Sequence, residues 1–427
     1  PGQAGFSRGG KKCLGPTVLA CSDSNIAVDN LLDGLLRANV RAVRVGRPEA
    51  TSPGLLPYCV DAIAAEAASR AKTMGQDPSS AARSARKRAM SGATVLCATC
   101  VGAGSAMLDE YNFTRVLIDE AAQATELASV VALTRGCKQL ALVGDHCQLP
   151  PTVGSDLAKN DGLGSSMFGR LADAGVPTTL LGTQYRMHPA ISAFPSACFY
   201  DSRIKDGIGP SSRPPVSGFE WPRRDFPVAF VPTGPGAIES GDGGTSKSNQ
   251  YEANIVAGII QGVLGGDPWG GSQPLRPEEI GVVTPYAAQV RLLRRQRPHQ
   301  AIEVASVDGF QGREKELIII STVRANRYGN VGFTADWRRA NVALTRAKRG
   351  VIVVGNYETL IRERRSWAPL IKYLEANGAI VGQPRLSHSE LPKLEDALSI
   401  AGKICKSIQS GGRTEHANTD ASRKRDR

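Results

Sequence analysis

Residues 116–123, Val-Leu-Ile-Asp-Glu-Ala-Ala-Gln, constrain the fold of this chain more than any other stretch. Val116, Leu117 and Ile118 make an unbroken apolar run entered from Phe113 and Thr114. Continuous rather than alternating apolarity reads as a strand of a parallel sheet buried on both faces. Asp119 and Glu120 then stand at the carboxyl end of that strand, the edge of an open α/β sheet at which ligands collect. Two adjacent carboxylates there suit a magnesium ion held by Asp119 and a water activated by Glu120. Aspartate is also a favoured helix cap, so Asp119 could instead open the helix expected over 125–133. The following segment favours the first reading. A second buried strand, 139–143, ends in Gly144-Asp145-His146-Cys147-Gln148-Leu149-Pro150-Pro151, so that neighbouring strands deliver polar side chains at one edge.

Such an edge describes a nucleotide-hydrolysing sheet, and its residues carry a resemblance. The strings at 119–123 and 144–151, together with Gln184-Tyr185-Arg186-Met187-His188-Pro189 and Val342-Ala343-Leu344-Thr345-Arg346, resemble motifs II, III, IV and VI of superfamily 1 helicases. From about residue 15 to about residue 382 the chain is most similar to the up-frameshift RNA helicases of nonsense-mediated mRNA decay. The resemblance implies an α/β fold of two tandem RecA-like domains, each a doubly wound parallel sheet, with the nucleotide cleft between them. The expected divisions are 1–182, with its phosphate-loop part missing or degenerate and an insertion at about 47–92, then 183–385, then a basic, disordered tail over 386–427.

It further implies ATP and magnesium as cofactors, with Asp119 on the metal, Glu120 as base and Gln148 near the γ-phosphate. Arg186 and Arg346 would reach the phosphates, Tyr185 would stack on the base, and Gln311 and Glu314 would bind the nucleotide. Ser24, Asn25, Thr99, Val101, Gly102, Pro285 and Tyr286 fall where the family contacts its nucleic acid. An arginine at a domain edge is more often a surface ion-pair partner, and that reading of Arg186 stays open here. The implied activity is 5'-to-3' translocation on single-stranded nucleic acid driven by ATP hydrolysis, RNA favoured over DNA, with other mRNA-decay factors as partners. The implied location is cytoplasmic, with nuclear shuttling. Alternatives are an ATPase-deficient nucleic-acid-binding fragment, a related DNA helicase and, ranked lower, a metal-dependent nuclease using the acidic pair.

Composition bounds the partners. Among 427 residues, 52 Lys and Arg against 40 Asp and Glu give a formal net charge of +12, which favours a polyanion. No apolar run reaches the length of a membrane span, and the first residues lack the apolar segment of a signal peptide. Nine cysteines without a framework point to a reducing compartment. Cys97 and Cys100 form a lone CxxC without the further ligands a zinc site needs, and read as buried structural thiols.

Starting at Pro1, the chain reads as a fragment or a processed product. Gly5-Phe6-Ser7-Arg8-Gly9-Gly10-Lys11-Lys12 matches part of a phosphate loop. No strand precedes it, Lys12 stands where a hydroxyl should reach magnesium, and Gly15-Pro16 interrupts the following helix. It reads as a coincidence, and the chain as given is expected to be inactive without an upstream phosphate loop. Between the motifs, strands are expected at 17–21, 40–45, 94–98, 228–231, 280–284, 302–307, 317–323 and 351–354. Helices are expected at 60–72 and 78–91; the second carries Arg83, Arg86, Lys87 and Arg88, either as a nucleic-acid contact or as a solvated face.

Overall fold

Short apolar runs separated by helix-length segments produce two parallel sheets, one in each of two compact units, Pro1–Thr178 and Thr179–Arg427. That division falls a few residues before the expected 182/183 boundary. The computed structural model describes residues 16–234, 236–241, 246–266, 273–383 and 391–406. The Gly5–Lys12 string and residues 407–427 lie outside them.

The first unit runs β1 (Val18–Ser22), α1 (Asn25–Arg37), β2 (Ala42–Arg44), α2 (Val60–Thr73), α3 (Pro78–Gly92), β3 (Val95–Thr99), β4 (Arg115–Asp119), α4 (Glu126–Leu133), β5 (Gln139–Leu142), the single turn α5 (Asp156–Ala158) and α6 (Met167–Asp173). The strands lie in the order β2-β3-β1-β4-β5, all parallel. Successive side chains of a strand face opposite sides, so a strand covered on both sides must be apolar throughout. β1 shows this directly: Leu19 and Cys21 pack with Leu96, Phe113 and Ile118, while Ala20 packs with Val28 and Leu32 of α1. Cys97 and Cys100 are buried free thiols, and burial pushes the Cys97 thiol up to about 12. The 47–92 insertion ends in α2 and α3, with Asp77 capping α3 through the Ser79 and Ser80 amides and Arg86 paired with Asp61 at 3.1 Å.

The second unit contains β6 (Thr183–Gln184), α7 (Pro189–Phe199), β7 (Lys205–Asp206), β8 (Val228–Pro232), β9 (Ser240–Gly241), β10 (Lys247–Ser248), α8 (Gln250–Gly265), β11 (Ile280–Thr284), α9 (Ala287–Gln296), β12 (Glu303–Ser306), β13 (Lys315–Ser321), α10 (Trp337–Leu344), β14 (Ala347–Gly355), α11 (Tyr357–Leu360) and α12 (Trp367–Ala376). Its main sheet has the order β12-β11-β13-β14-β8, again all parallel. Val282, Ile319, Ile352 and Val354 pack under Val256 and Ile260 of α8. Phe194, Phe226 and Tyr373 form an aromatic cluster in the same unit.

The disordered tail expected over 386–427 is corrected in part. Residues 397–406 are helical, with Ala397, Ala401 and Cys405 buried, and Cys405 is disulfide-bonded to Cys198 at the end of α7, with a Cα separation of 5.4 Å. Averaging the composition over the whole tail hides this four-residue spacing of small apolar side chains.

Candidate functional site

The parallel register places polar residues of three strands in one row. Ser22 is paired with Thr99 on one side and Asp119 on the other, so the carboxyl ends of β1, β3 and β4 open onto the same edge. Asp119 is half-buried, and burial raises its carboxyl above the ordinary range. Glu120, the next residue, has φ 53°, a left-handed conformation that costs a residue with a side chain of order 1 kcal/mol or more. Its carboxylate accepts from Gln123 Nε2 at 2.6 Å, and its carbonyl accepts from the Gln123 amide at 2.9 Å. The turn is thereby tied to its own last residue. Helix α4 begins later, at Glu126, and its N-cap is Thr125, whose Oγ1 accepts from the Ala128 amide. The capping alternative for Asp119 is therefore not what the chain adopts.

Beyond β5 the loop 143–148 lies against this turn. The Ala121 amide donates to the Val143 carbonyl at 2.8 Å, and a Cβ on Gly144 would sit 2.9 Å from the Ala122 nitrogen. Only glycine permits that approach without a shift. Asp145 accepts from the Cys147 amide at 2.9 Å and from Gln148 Nε2 at 2.8 Å, which orients Gln148. Asp145 was missed in the sequence, although the three-residue spacing to Gln148 was its signal. Asp145, His146 and Cys147 also offer ligand atoms within 4.8 Å of one another.

For a magnesium ion the donors should be hard oxygens. The residues fit: Asp119 supplies a carboxylate, and the buried hydroxyl of neighbouring Ser22 has no hydrogen-bond partner. Ser22 was not singled out from sequence because a serine ending a strand carries no local signal.

The expected nucleic-acid residues divide. Val101 is exposed at 68%, and the Thr99 hydroxyl accepts from the Gly102 amide at 2.9 Å, with a Cβ on Gly102 reaching 2.6 Å from that oxygen. Ser24 caps α1 by accepting from the Ala27 amide at 3.1 Å. Asn25 Oδ1 accepts from Arg44 at 2.6 Å, a structural contact within the unit. Arg44 itself is 1% exposed and is held also by Asp29 and Thr51. In the second unit Tyr286 is a correction. It is 3% exposed, its hydroxyl accepts from Arg324 at 3.1 Å and donates to the Val331 carbonyl at 3.4 Å, and it offers almost no surface to a strand. Pro285 beside it is half-buried.

In the same unit Arg186, Glu314 and Lys348 meet. Arg186 donates through Nε to Glu314 at 2.7 Å and through NH1 to the Thr345 carbonyl at 3.0 Å. Lys348 meets the same Glu314 at 2.8 Å. Burial pushes the Glu314 carboxyl up, but Lys348 and Arg186 outweigh it and hold it below the ordinary value. Glu314 is thus the counter-ion of two cations, a role that differs from the nucleotide contact expected of it. Arg346 is 3% exposed and donates to the Val342 carbonyl and the Thr345 hydroxyl, each at 3.0 Å. Gln311 Nε2 is buried without a hydrogen-bond partner, a donor matched to an acceptor atom such as a phosphate or ribose oxygen. Tyr185 is 64% exposed, with one side of its ring against Gly207 and the rest of the ring available for stacking.

Comparison with known proteins agrees with these strings. Two families, each described as an AAA domain, match residues 163–358 and residues 4–76 with 64–156. "Regulator of nonsense transcripts 1 homolog" of Drosophila melanogaster is 38% identical over 93% of the chain and 36% of its own length. "ATP-dependent helicase upf1" of Schizosaccharomyces pombe is 36% identical over 85% of the chain and 41% of its own length. "ATP-dependent helicase NAM7" of Saccharomyces cerevisiae is 36% identical over 85% and 39%. The chain thus spans about two-fifths or less of these relatives. Among solved structures, one titled "Complex structure of Arterivirus nonstructural protein 10 (helicase) with DNA" overlaps 82% of the chain and 56% of its own, at 12% identity and a TM-score of 0.42.

Proposed function

Because the chain belongs to the helicase family of the regulators of nonsense transcripts 1, we propose that it carries the motor of an ATP-dependent helicase that moves on single-stranded nucleic acid, RNA in preference to DNA. The observation that carries this is the row of polar residues at one sheet edge: Asp119 and Glu120 stand beside the unpartnered Ser22 hydroxyl, and Gln148 is oriented by Asp145 in the adjoining loop. Magnesium held by Asp119 and Ser22 would neutralise charge on the transferred phosphoryl group. Glu120 is pinned by Gln123 in a strained turn, which fixes where its carboxylate can take a proton from water. In the second unit Arg186 presents a partly exposed guanidinium suited to a phosphate, whereas Arg346, 3% exposed, is turned to the Val342 carbonyl and the Thr345 hydroxyl. Arg186 is held by Glu314, so engaging a phosphate means exchanging one anion for another. Exchange of this kind lets a cation respond to the nucleotide at little desolvation cost.

RNA is preferred on the strength of the relatives' names, which refer to nonsense transcripts. Loops ending in Ser24, Thr99 and Pro285 touch the strand backbone, and exposed Val101 offers an apolar surface to a base. Glu120→Gln in the full-length protein is the test of this reading. It should reduce RNA-stimulated ATP hydrolysis by on the order of a hundredfold or more while ATP and RNA still bind. Loss of nucleotide binding together with hydrolysis would assign Glu120 to the architecture of the turn, and the ATPase-deficient binding protein would become the better description.

A further inference from the structure

A groove of about 860 Å³ runs along the edge of the second sheet, between α9 and the edge strand β12. Arg291, Arg294, Arg297 and Arg313 line it, and Glu303 is the one acid among its lining residues. Glu303 is already engaged by Arg313 and, at 3.1 Å, by Lys315. α9 accounts for this asymmetry. Gln289, Val290 and Leu293 are buried toward the unit, which turns Arg291 and Arg294 outward on the opposite stripe.

An open edge strand ordinarily invites a further strand. Here Arg294 donates to the Val304 carbonyl at 3.0 and 2.8 Å, and Arg297 donates to the Ile302 carbonyl at 2.9 Å. These carbonyls are two residues apart, so both belong to the same edge, and that edge is occupied by guanidinium groups. A peptide cannot add as a strand there. What the groove offers is positive charge along its length, which the phosphates of a nucleic-acid backbone match. Its upper end includes Ala287, directly after Pro285 and Tyr286, together with Ser306 and Gly309.

We propose that the α9–β12 groove binds the sugar-phosphate backbone of a single nucleic-acid strand, extending the track that begins at Pro285. The inference rests on the proposed nucleic-acid reading and adds to it a defined second segment of the path. Backbone contacts position a strand without reading its bases, so the groove lengthens the footprint and leaves sequence preference unchanged.

The experiment uses the full chain, with short and long oligouridylates titrated across a range of salt. Wild type should bind long oligomers more tightly than short ones. The double variant Arg291→Gln with Arg294→Gln should lose on the order of tenfold on long oligomers, lower its salt slope by about 1.4, and bind short ones unchanged. Arg291→Lys with Arg294→Lys should keep most of the affinity, since the charge remains. Equal losses in the glutamine and lysine pairs would mean that the arginines only cover the strand edge, and equal binding of long and short oligomers by wild type would remove the groove from the path; either overturns the proposal. So would tripolyphosphate or poly-glutamate binding the groove as tightly as the long oligomer, which would make it a site for a compact anion or an acidic protein. Failure of every oligomer to bind would overturn the nucleic-acid reading as well.

Discussion

Glu252 and His188 depart from their ordinary ionisation in ways that pull stability in opposite directions. Glu252 is fully buried, and burial raises its carboxyl from 4.5 to about 7 even though Ser321, the Val323 amide and Thr322 donate to it. The folded state holds that proton where the unfolded chain has lost it, so its contribution declines as pH rises from 4.5 to 7. Burial lowers His188 from 6.5 to about 4, so the unfolded chain binds the proton first and stability declines as pH falls from 6.5 toward 4. At about 1.4 kcal/mol per unit, the histidine effect reaches at most about 3 kcal/mol. Thermal unfolding across pH should separate the two. His188→Asn retains an acceptor for the Ala190 amide and should be less sensitive to acid than wild type, and Glu252→Gln should lose less stability between pH 4.5 and 7. A wild-type melting curve that responds to neither substitution in its window would refute the assignments.

What was legible at this scale depended on where a residue's partners lie in the sequence. Asp119 and Glu120 follow their own strand directly, and their position could be read from the apolar run alone. Tyr286 could not, since Arg324 and the Val331 carbonyl that bury it lie 38 and 45 residues further on. Arg44 looked like an ordinary strand residue until Asp29, 15 residues back, and Thr51, seven ahead, closed on it.

Among the elements, the contact between the 119–123 turn and the loop after β5 is the most exacting. Gly144 is the point where two backbones meet, and Gly144→Ala must displace one of them. The cost should be about 1–3 kcal/mol of stability by analogy with overpacked interiors. The loss of ATP hydrolysis should be disproportionate, because the shift carries Gln148 and Asp145 away from Glu120. Comparing unfolding midpoints with turnover in the same variant checks this, and a loss of stability with full turnover would show that the loop does not need its register. Strand order is a different matter. Periodicity identified the strands of both sheets within a few residues, but β5, expected to be buried, is an exposed edge strand, and nothing in a run of apolar residues says which neighbour it takes. The helix at 397–406 went unread because charge was averaged over the tail, even though Ala397, Ala401 and Cys405 repeat every fourth residue.

For the molecule as a whole, the charge of +12 falls mostly on residues 179–427, and both α/β units present loops at the carboxyl ends of their strands. Binding of single strands should therefore weaken steeply with salt and vary little with base sequence. A flat response in a filter-binding titration from low to high salt would contradict the backbone mode of recognition. Whether these parts make an ATP-driven motor is decided by steady-state ATP hydrolysis of the full-length protein with and without single-stranded RNA. Hydrolysis should rise severalfold or more on adding RNA, and should disappear, with RNA still bound, in Glu120→Gln. Hydrolysis that is indifferent to RNA, or that survives Glu120→Gln, would contradict such a motor.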